Sequence, residues 1–357
     1  METRVLLTGH NGYIGSVMAP MLARAGYGVV GLDNGYFDPC TLIADTVRVP
    51  AVRKDIRDVG VEDLRGFDAV IHLAALSNDP IGNLDAEWTR QINFEATARL
   101  AEAGKAAGVK RFLFSSSCIM YGMSEANVVD EKSPLDPRTE YARSKVLAED
   151  AVRTLAGDGF SPTFLRNGTI YGLSPRMRFD TVLNDLVGTA VATGKVVVHS
   201  DGKPWRPVVH VEDVARAFMT ILEAPVETVH NQAFNIGANQ LNHQIHDLAE
   251  IVVRNVPDCL LEMRAQSGAD QRTYKADFSK FARTFPKFEF QWSAEKGARQ
   301  LVQQFRAIGL SSDVLSDKRF TRLKWLRYLL DSRRLDGELR WHQPAEEKLY
   351  AAAGESR

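Results

Sequence analysis

One stretch near the N-terminus constrains this chain more than any other, the run Val-Leu-Leu-Thr-Gly-His-Asn-Gly-Tyr-Ile-Gly at residues 5–15. Its apolar, β-forming residues end at Gly9, and the segment after Gly15 carries apolar residues at helical spacing. A strand, a glycine-rich turn and a helix in this order predict a dinucleotide-binding site. Gly9 permits the tight turn, Gly12 lets the backbone approach a diphosphate, and Gly15 lets the helix pack closely on the strand.

The next predicted strand indicates which dinucleotide is bound. It covers Gly28 to Leu32 and is followed directly by Asp33. A carboxylate at this position accepts hydrogen bonds from the adenosine ribose hydroxyls and repels a 2′-phosphate. The sequence therefore predicts NAD, rather than NADP, as the cofactor.

Composition excludes several classes of function. The 357 residues contain 44 basic and 45 acidic side chains, a balance that favours neither nucleic acid nor a membrane surface as a partner. Three cysteines without metal-type spacing predict no disulfide framework and no metal site. No signal peptide and no apolar run of membrane-spanning length are recognised, so we expect a cytoplasmic protein.

Strand-like and helix-like segments alternate through the first half of the chain. This alternation predicts an α/β fold of the Rossmann type, a doubly wound parallel sheet. We expect the NAD-binding domain to cover 1–173, and we expect the chain to return to this domain at about 206–240. A smaller mixed α/β substrate domain with a helical C-terminal extension is expected over 174–357. The predicted elements include a short strand near Val47–Val49 and helices over Leu84–Ala107 and Arg138–Ala156.

Tyr141 and Lys145 are the candidate catalytic pair. Four residues apart on a helix, they lie on one face, and an ammonium beside a phenol lowers the tyrosine pKa. The helix follows a strand that ends at Ser115-Ser116-Ser117, and doubly wound sheets bind ligands at such carboxyl ends. We therefore expect Tyr141 to act as a general base and Lys145 to hold the nicotinamide ribose.

The sequence resembles the extended short-chain dehydrogenase/reductases, specifically the nucleotide-sugar epimerases and dehydratases, from residue 3 to about 280. The resemblance implies a nucleotide-sugar substrate and assigns roles by position. Ser117, Tyr141 and Lys145 would be catalytic. The cofactor residues would be Gly9, Asn11, Gly12, Tyr13, Ile14, Gly15, Asp33, Asp55, Ile56, Leu73, Ala74, Ala75, Asn93, Ser115, Tyr141 and Lys145. The substrate residues would be Ser117, Asn167, Arg176, Asn184, Arg206 and Arg272.

Departures from the family pattern narrow the reaction. In 4,6-dehydratases the catalytic threonine is followed by Asp-Glu, whereas Ser117 is followed by Cys118 and Ile119. Decarboxylase relatives also carry glutamate where this chain has Ile119. Neither Cys118 nor Ile119 can carry out the proton transfers that the Asp-Glu pair performs in dehydratases, so dehydration is discounted. Ser77 replaces the lysine of galactose-type 4-epimerases, which weakens one contact to a cofactor phosphate.

The function predicted first is an NAD-dependent epimerase that forms a 4-keto intermediate from a nucleotide-activated sugar by hydride transfer. The alternatives are a 4-ketoreductase or 4-dehydrogenase, a 3,5-epimerase that uses Cys118 as a thiolate, and a non-catalytic NAD-binding regulator. Similar enzymes pair the two helices predicted above across a two-fold axis, so we also expect a homodimer.

Overall fold

A parallel β-sheet lies at the centre of the protein, as the alternating pattern predicts. The computed structural model describes residues 2–44, 47–123, 128–264 and 273–342. Within these ranges seven strands form one sheet in the order β11-β7-β5-β4-β1-β2-β3, and all of its pairings are parallel. None of the helices in these ranges is both long and apolar enough to cross a membrane.

The strands are β1 Arg4–Thr8, β2 Gly28–Asp33, β3 Ala51–Arg53, β4 Ala69–His72, β5 Arg111–Ser117, β6 Val128–Val129, β7 Ser161–Asn167, β8 Thr169–Tyr171, β9 Lys195–Val198, β10 Trp205–His210, β11 Gln232–Ile236, β12 Asn242–Gln244, β13 Leu260–Met263 and β14 Lys275–Ala276. The α-helices are α1 Gly15–Arg24, α2 Val61–Leu64, α3 Asp79–Gly82, α4 Ala86–Thr89, α5 Ala96–Ala107, α6 Glu140–Arg153, α7 Val182–Thr193, α8 Val211–Glu223, α9 Val226–Val229, α10 Ile245–Asn255, α11 Ser279–Thr284, α12 Ala294–Ala307, α13 Ser312–Ser316 and α14 Arg322–Asp331.

The order of the strands places the ligand-binding crevice. The sheet grows outward from β1 in both directions, to β2 on one side and to β4 on the other. Chain connections diverge there, and the carboxyl ends of neighbouring strands open a crevice at such a point. Alternate residues of β1 enter two separate apolar clusters, Leu6 one and Val5 and Leu7 the other. The sheet is therefore covered on both faces, as its continuous apolar strands predict.

The third strand begins later than expected. Val47–Val49 forms no strand, whereas Ala51–Arg53 pairs with Gly31–Asp33 of β2. Pro50 separates the two segments, and its carbonyl accepts a hydrogen bond from Gly31 N. Because proline has no N–H to donate, a ladder continues regularly only beyond it.

The long helix expected over Leu84–Ala107 is divided. Asp85 accepts hydrogen bonds from the backbone of Glu87 and Trp88, so α4 begins at Ala86. A π-helical segment over Arg90–Glu95 then precedes α5. π-Segments occur frequently at functional sites, and this one carries the buried Asn93.

A second apolar cluster fills the smaller part of the molecule. It joins α7, α10 and α12 with a two-stranded sheet of β9 and β13. β10 pairs with β8 and β12 outside the main sheet, and β11 is the strand that returns to the sheet. The side chains of Trp325, Leu326 and Leu329, which lie in the predicted C-terminal extension, pack into the cluster of the cofactor half, because α14 turns an apolar face toward it.

Candidate active site

A cavity of about 660 Å³ opens at the carboxyl ends of the central strands. It is bounded by the turn after β1, the ends of β2, β4 and β5, the start of α6, and the loop before α7. Many of the predicted site residues line this cavity, namely Gly9, Gly12, Tyr13, Ile14, Gly15, Asp33, Ile56, Leu73, Ala74, Ala75, Ser115, Ser117, Tyr141, Asn167 and Arg206. The structure therefore brings most of the predicted cofactor and substrate residues to one cavity.

The glycine turn is built so that a side chain would not fit. Gly9 has a φ of +71°, and a Cβ there would lie 2.8 Å from the backbone N of Ala74. A Cβ on Gly15 would overlap the carbonyl oxygen of Gly9. These two contacts keep the turn tight against the end of β4, and the backbone of Gly12 lines the cavity without a side chain. This cradle fits a dinucleotide diphosphate at the start of a helix.

Asp33 ends β2 beside the same turn. Its carboxylate accepts hydrogen bonds from the backbone N–H groups of Asn11 and Gly35, at 3.2 and 2.8 Å. The Asn11 amide donates to Asp38 and accepts from Arg176. Asn11 and Arg176 thus stand behind the cavity wall and hold the loops around Asp33, rather than lining the cavity as predicted contacts.

Asp55 does not line the cavity, whereas its neighbours Lys54 and Ile56 do. Both carboxylate oxygens of Asp55 accept hydrogen bonds from Arg57 at 2.8–2.9 Å, and Arg340 lies 3.6 Å away. Despite burial, these bonds hold the pKa of Asp55 below its usual range. The sequence predicts a cofactor contact at Asp55, whereas the structure uses its carboxylate in an ion pair.

Asn93 also acts from behind the wall. Its side chain pairs with both backbone groups of Leu76, at 2.7 and 3.0 Å, and donates to the Ser144 hydroxyl. Ser144 in turn donates to the carbonyl of Tyr141. Asn93 therefore ties the loop after β4 to the helix that carries Tyr141, instead of touching the cavity.

Ser117 and Tyr141 both line the cavity. Ser117 ends β5, and its hydroxyl accepts a hydrogen bond from Ile119 N at 3.3 Å. Tyr141 lies in the first turn of α6, where Thr139 caps the helix through Ala142 N. A Cβ on Gly82 would lie 2.8 Å from the Cβ of Tyr141 and 3.1 Å from its backbone N, so the absence of a side chain at Gly82 lets the first turn of α6 approach closely.

Lys145 is buried and does not line the cavity. Its ammonium donates to the carbonyl of Ser115 at 2.8 Å and lies 4.6 Å from the centroid of the Phe114 ring. The centroid of the Tyr141 ring is 5.8 Å away. Burial lowers the pKa of Lys145 to about 7, partly offset by Glu149.

The pKa of Tyr141 moves opposite to the expected direction. Burial raises it above its usual range, Asp79 raises it further, and Arg178 opposes both. Since Lys145 points at Ser115, it does not lower the pKa of the phenol here. With its pKa raised, Tyr141 is a neutral phenol at neutral pH.

Two further candidates are corrected by their surroundings. Cys118 is fully buried, its thiol donates to the carbonyl of Arg166, and burial raises its pKa well above the usual range, so the thiol is protonated at neutral pH. The Asn184 amide is paired with Gly172 N, the Tyr13 hydroxyl and the Arg178 carbonyl. The Asn184 side chain therefore joins loops and does not line the cavity. Arg272 lies outside the described residues.

The cavity also has lining residues that the sequence did not indicate as site residues. Arg178 and Asp180 come from the loop before α7, and Arg322 comes from the start of α14. The two arginines in 174–178 were a visible signal for the loop. Nothing in the local sequence could have placed Arg322 here, because it is separated from Arg178 by more than a hundred residues.

Comparison with known proteins places this site in a family. Residues 5–237 match the NAD dependent epimerase/dehydratase family. UDP-glucose 4-epimerase of Bacillus subtilis is 26% identical over 328 residues, covering 83% of this chain and 94% of that protein. UDP-N-acetyl-alpha-D-glucosaminuronate decarboxylase of Bacillus cytotoxicus is 26% identical over 325 residues, covering 86% and 99%.

A solved structure agrees in fold. The dTDP-glucose 4,6-dehydratase DesIV from Streptomyces venezuelae, determined with NAD and TYD bound, has a TM-score of 0.74 and 26% identity. The match covers 87% of this chain and 100% of that one. These relatives carry out three different reactions at similar identity. The chain therefore belongs to the NAD dependent epimerase/dehydratase family, which confirms the predicted NAD cofactor and Rossmann-type fold.

Proposed function

We propose that this protein is an epimerase that inverts C4 of a nucleotide-activated sugar through a 4-keto intermediate. One observation carries the proposal: Ser117, Tyr141 and Ile119 line one cavity with the glycine turn. The cavity thus combines a hydroxyl pair suited to oxidising a secondary alcohol with an apolar side chain where dehydratases and decarboxylases carry an acid. Reversible oxidation without elimination fits this combination.

Each proposed role follows from chemistry at a named atom. The Tyr141 oxygen takes the proton of the sugar's C4 hydroxyl, and the Ser117 hydroxyl orients that oxygen by a hydrogen bond. When bound, NAD supplies the hydride acceptor and a positive charge. The Arg206 guanidinium suits the sugar's diphosphate, because its planar fork matches phosphate oxygens. Asn167 lines the cavity and donates to Ser115, so it helps to fix the end of β5.

The protonation states of the chain set a condition on this mechanism. Burial keeps Tyr141 protonated, and the Lys145 ammonium donates a hydrogen bond to Ser115 O instead of to the phenol. Proton removal at neutral pH therefore requires positive charge that arrives with the ligands.

The Cys118 alternative receives no support from the surroundings of the thiol. It lies in an apolar cluster with Tyr121, Val129 and Phe278. The same cluster leaves Cys118 behind the strand end, whereas its neighbour Ile119 lines the cavity. Epimerisation at C3 and C5 by this thiol is therefore not proposed.

The test is a product assay on a panel of UDP- and dTDP-linked hexoses, read by proton NMR. We expect one member to be converted to its C4 epimer, with cofactor absorbance unchanged at equilibrium. Tyr141→Phe should slow the conversion by roughly 10²–10⁴. Tyr27→Phe is the matched control, because Tyr27 donates to Glu223 outside the cavity. Loss of water or carbon dioxide, or cofactor reduction in proportion to product, would refute the proposal.

A further inference from the structure

The segment 318–342, called here the C-terminal clasp, lies outside the matched family region yet packs on the cofactor half. The indole N–H groups of Trp325 and Trp341 donate to the carbonyls of Tyr36 and Asn34, at 2.7 and 2.8 Å. The Tyr36 hydroxyl donates back to the carbonyl of Leu339. Because Tyr36 and Asn34 line the cavity, the clasp holds the loop that follows Asp33.

The clasp also contributes a side chain to the cavity itself. Arg322, the first residue of α14, lines the cavity although it is only 2% exposed. Its guanidinium donates to the carbonyl of Arg176 at 2.8 Å and lies 4.5 Å from the centroid of the Phe37 ring. The carbonyl and the ring carry no net negative charge, so they do not neutralise the guanidinium. Keeping a charged group buried in such surroundings costs free energy.

A second arginine meets Arg322 around a single carboxylate. Asp180 accepts hydrogen bonds from the Arg178 guanidinium at 2.8 and 3.1 Å, and from the backbone N of Arg322 at 3.3 Å. Arg178 also donates to the Ser77 hydroxyl at 3.2 Å. Asp180 therefore forms an ion pair with the Arg178 guanidinium, whereas its contact with Arg322 is through the backbone N–H. Burial and the neighbouring Arg178 lower the pKa of Arg322 to about 10, which leaves it charged at neutral pH.

We propose that Arg178 and Arg322 bind the diphosphate of NAD, so that the C-terminal clasp is part of the cofactor site. Asp180 carries one negative charge against the two positive charges of Arg178 and Arg322, and a diphosphate would supply the rest. The planar guanidinium groups also match the geometry of phosphate oxygens. Arg178 reaches Ser77, the position where the family pattern has a lysine, so the cation comes from a different element in this chain. The inference rests on NAD binding and is independent of which sugar is converted.

The test compares ligands with and without phosphate on full-length protein freed of bound nucleotide. Affinities for ADP-ribose, adenosine and UDP are measured by calorimetry for the parent and for Arg322→Gln. We expect Arg322→Gln to weaken the binding of ADP-ribose by about 10- to 100-fold, as for a lost charge-assisted hydrogen bond. The binding of adenosine should weaken by less than about twofold. Arg327→Gln is the matched control, since Arg327 is exposed on the same helix.

Three results would overturn the proposal: unchanged ADP-ribose affinity, an equal loss for adenosine, or a loss confined to UDP. An equal loss of affinity for ADP-ribose and adenosine would mean that Arg322 only stabilises the structure. A loss of affinity for UDP alone would mean that Arg322 binds the substrate instead of the cofactor. If Arg322→Gln does not fold, hydrogen exchange on the unsubstituted protein decides. ADP-ribose should slow exchange of the amides of 321–325 more than adenosine does, and equal protection would refute the assignment.

Discussion

Replacing Lys145 with methionine should make the protein more stable near neutral pH while removing its activity. The folded state lowers the pKa of Lys145 from 10.5 to about 7, chiefly through burial. At about 1.4 kcal/mol per pKa unit, keeping this lysine charged costs the folded protein about 5 kcal/mol at and below neutral pH. Its hydrogen bond to Ser115 O returns about 1.5–3 kcal/mol. Methionine fills a similar volume without charge, so the net gain is about 2–3.5 kcal/mol.

The sign of the pH dependence follows from proton binding. Between about pH 7 and pH 10.5 the unfolded chain binds a proton at Lys145 that the folded chain does not. The free energy of unfolding of the parent therefore rises with pH through this window, and its dependence should be flatter in Lys145→Met. The gain from the substitution is largest below the window and disappears above it.

Urea unfolding of both proteins at several pH values measures these quantities. Lys105→Met is the matched control, because Lys105 is exposed and its ammonium donates to the carbonyl of Leu155 at the same 2.8 Å. It should change the free energy of unfolding by less than about 1 kcal/mol at any pH. A Lys145→Met protein less stable than its parent at about pH 7, or with the parent's pH slope, would refute the reasoning.

Further predictions concern other parts of the molecule. Tyr141→Phe should keep the fold and NAD binding but slow epimer formation by roughly 10²–10⁴, which single-turnover assays measure. NAD should bind at least about tenfold more tightly than NADP in parallel titrations, because Asp33 repels a 2′-phosphate; equal affinities would remove this role. Asp185→Asn should raise the free energy of unfolding by about 1–2 kcal/mol near pH 7, because burial raises the pKa of Asp185 to about 6 and its charge opposes folding above that pH; a loss would contradict this. Light scattering should return a dimer mass, and a monomer mass would exclude the predicted helix pairing.

The parts of the site that lie within one strand, turn and helix could be predicted from the sequence. The glycine turn, Asp33 and the placement of Ser117 and Tyr141 all follow from local pattern and from the rule that parallel strands end at one edge. Each of these residues is positioned by neighbours close in the chain. The spacing of Tyr141 and Lys145 also predicted their shared helix. It did not predict that the ammonium would point at Ser115.

Only the tertiary structure decided which charged groups face the cavity. Asp55 is engaged by Arg57, and Arg340 lies near it from the far end of the chain, whereas Arg322 enters from that same distant segment. The direction in which a side chain's pKa shifts likewise depends on burial, which raises the pKa of both Cys118 and Tyr141. Local sequence determines the conformation of a turn or helix through backbone preference and short-range hydrogen bonds. Burial and ion pairing are sums over groups brought together by packing, so their outcome is decided only when the whole chain has folded.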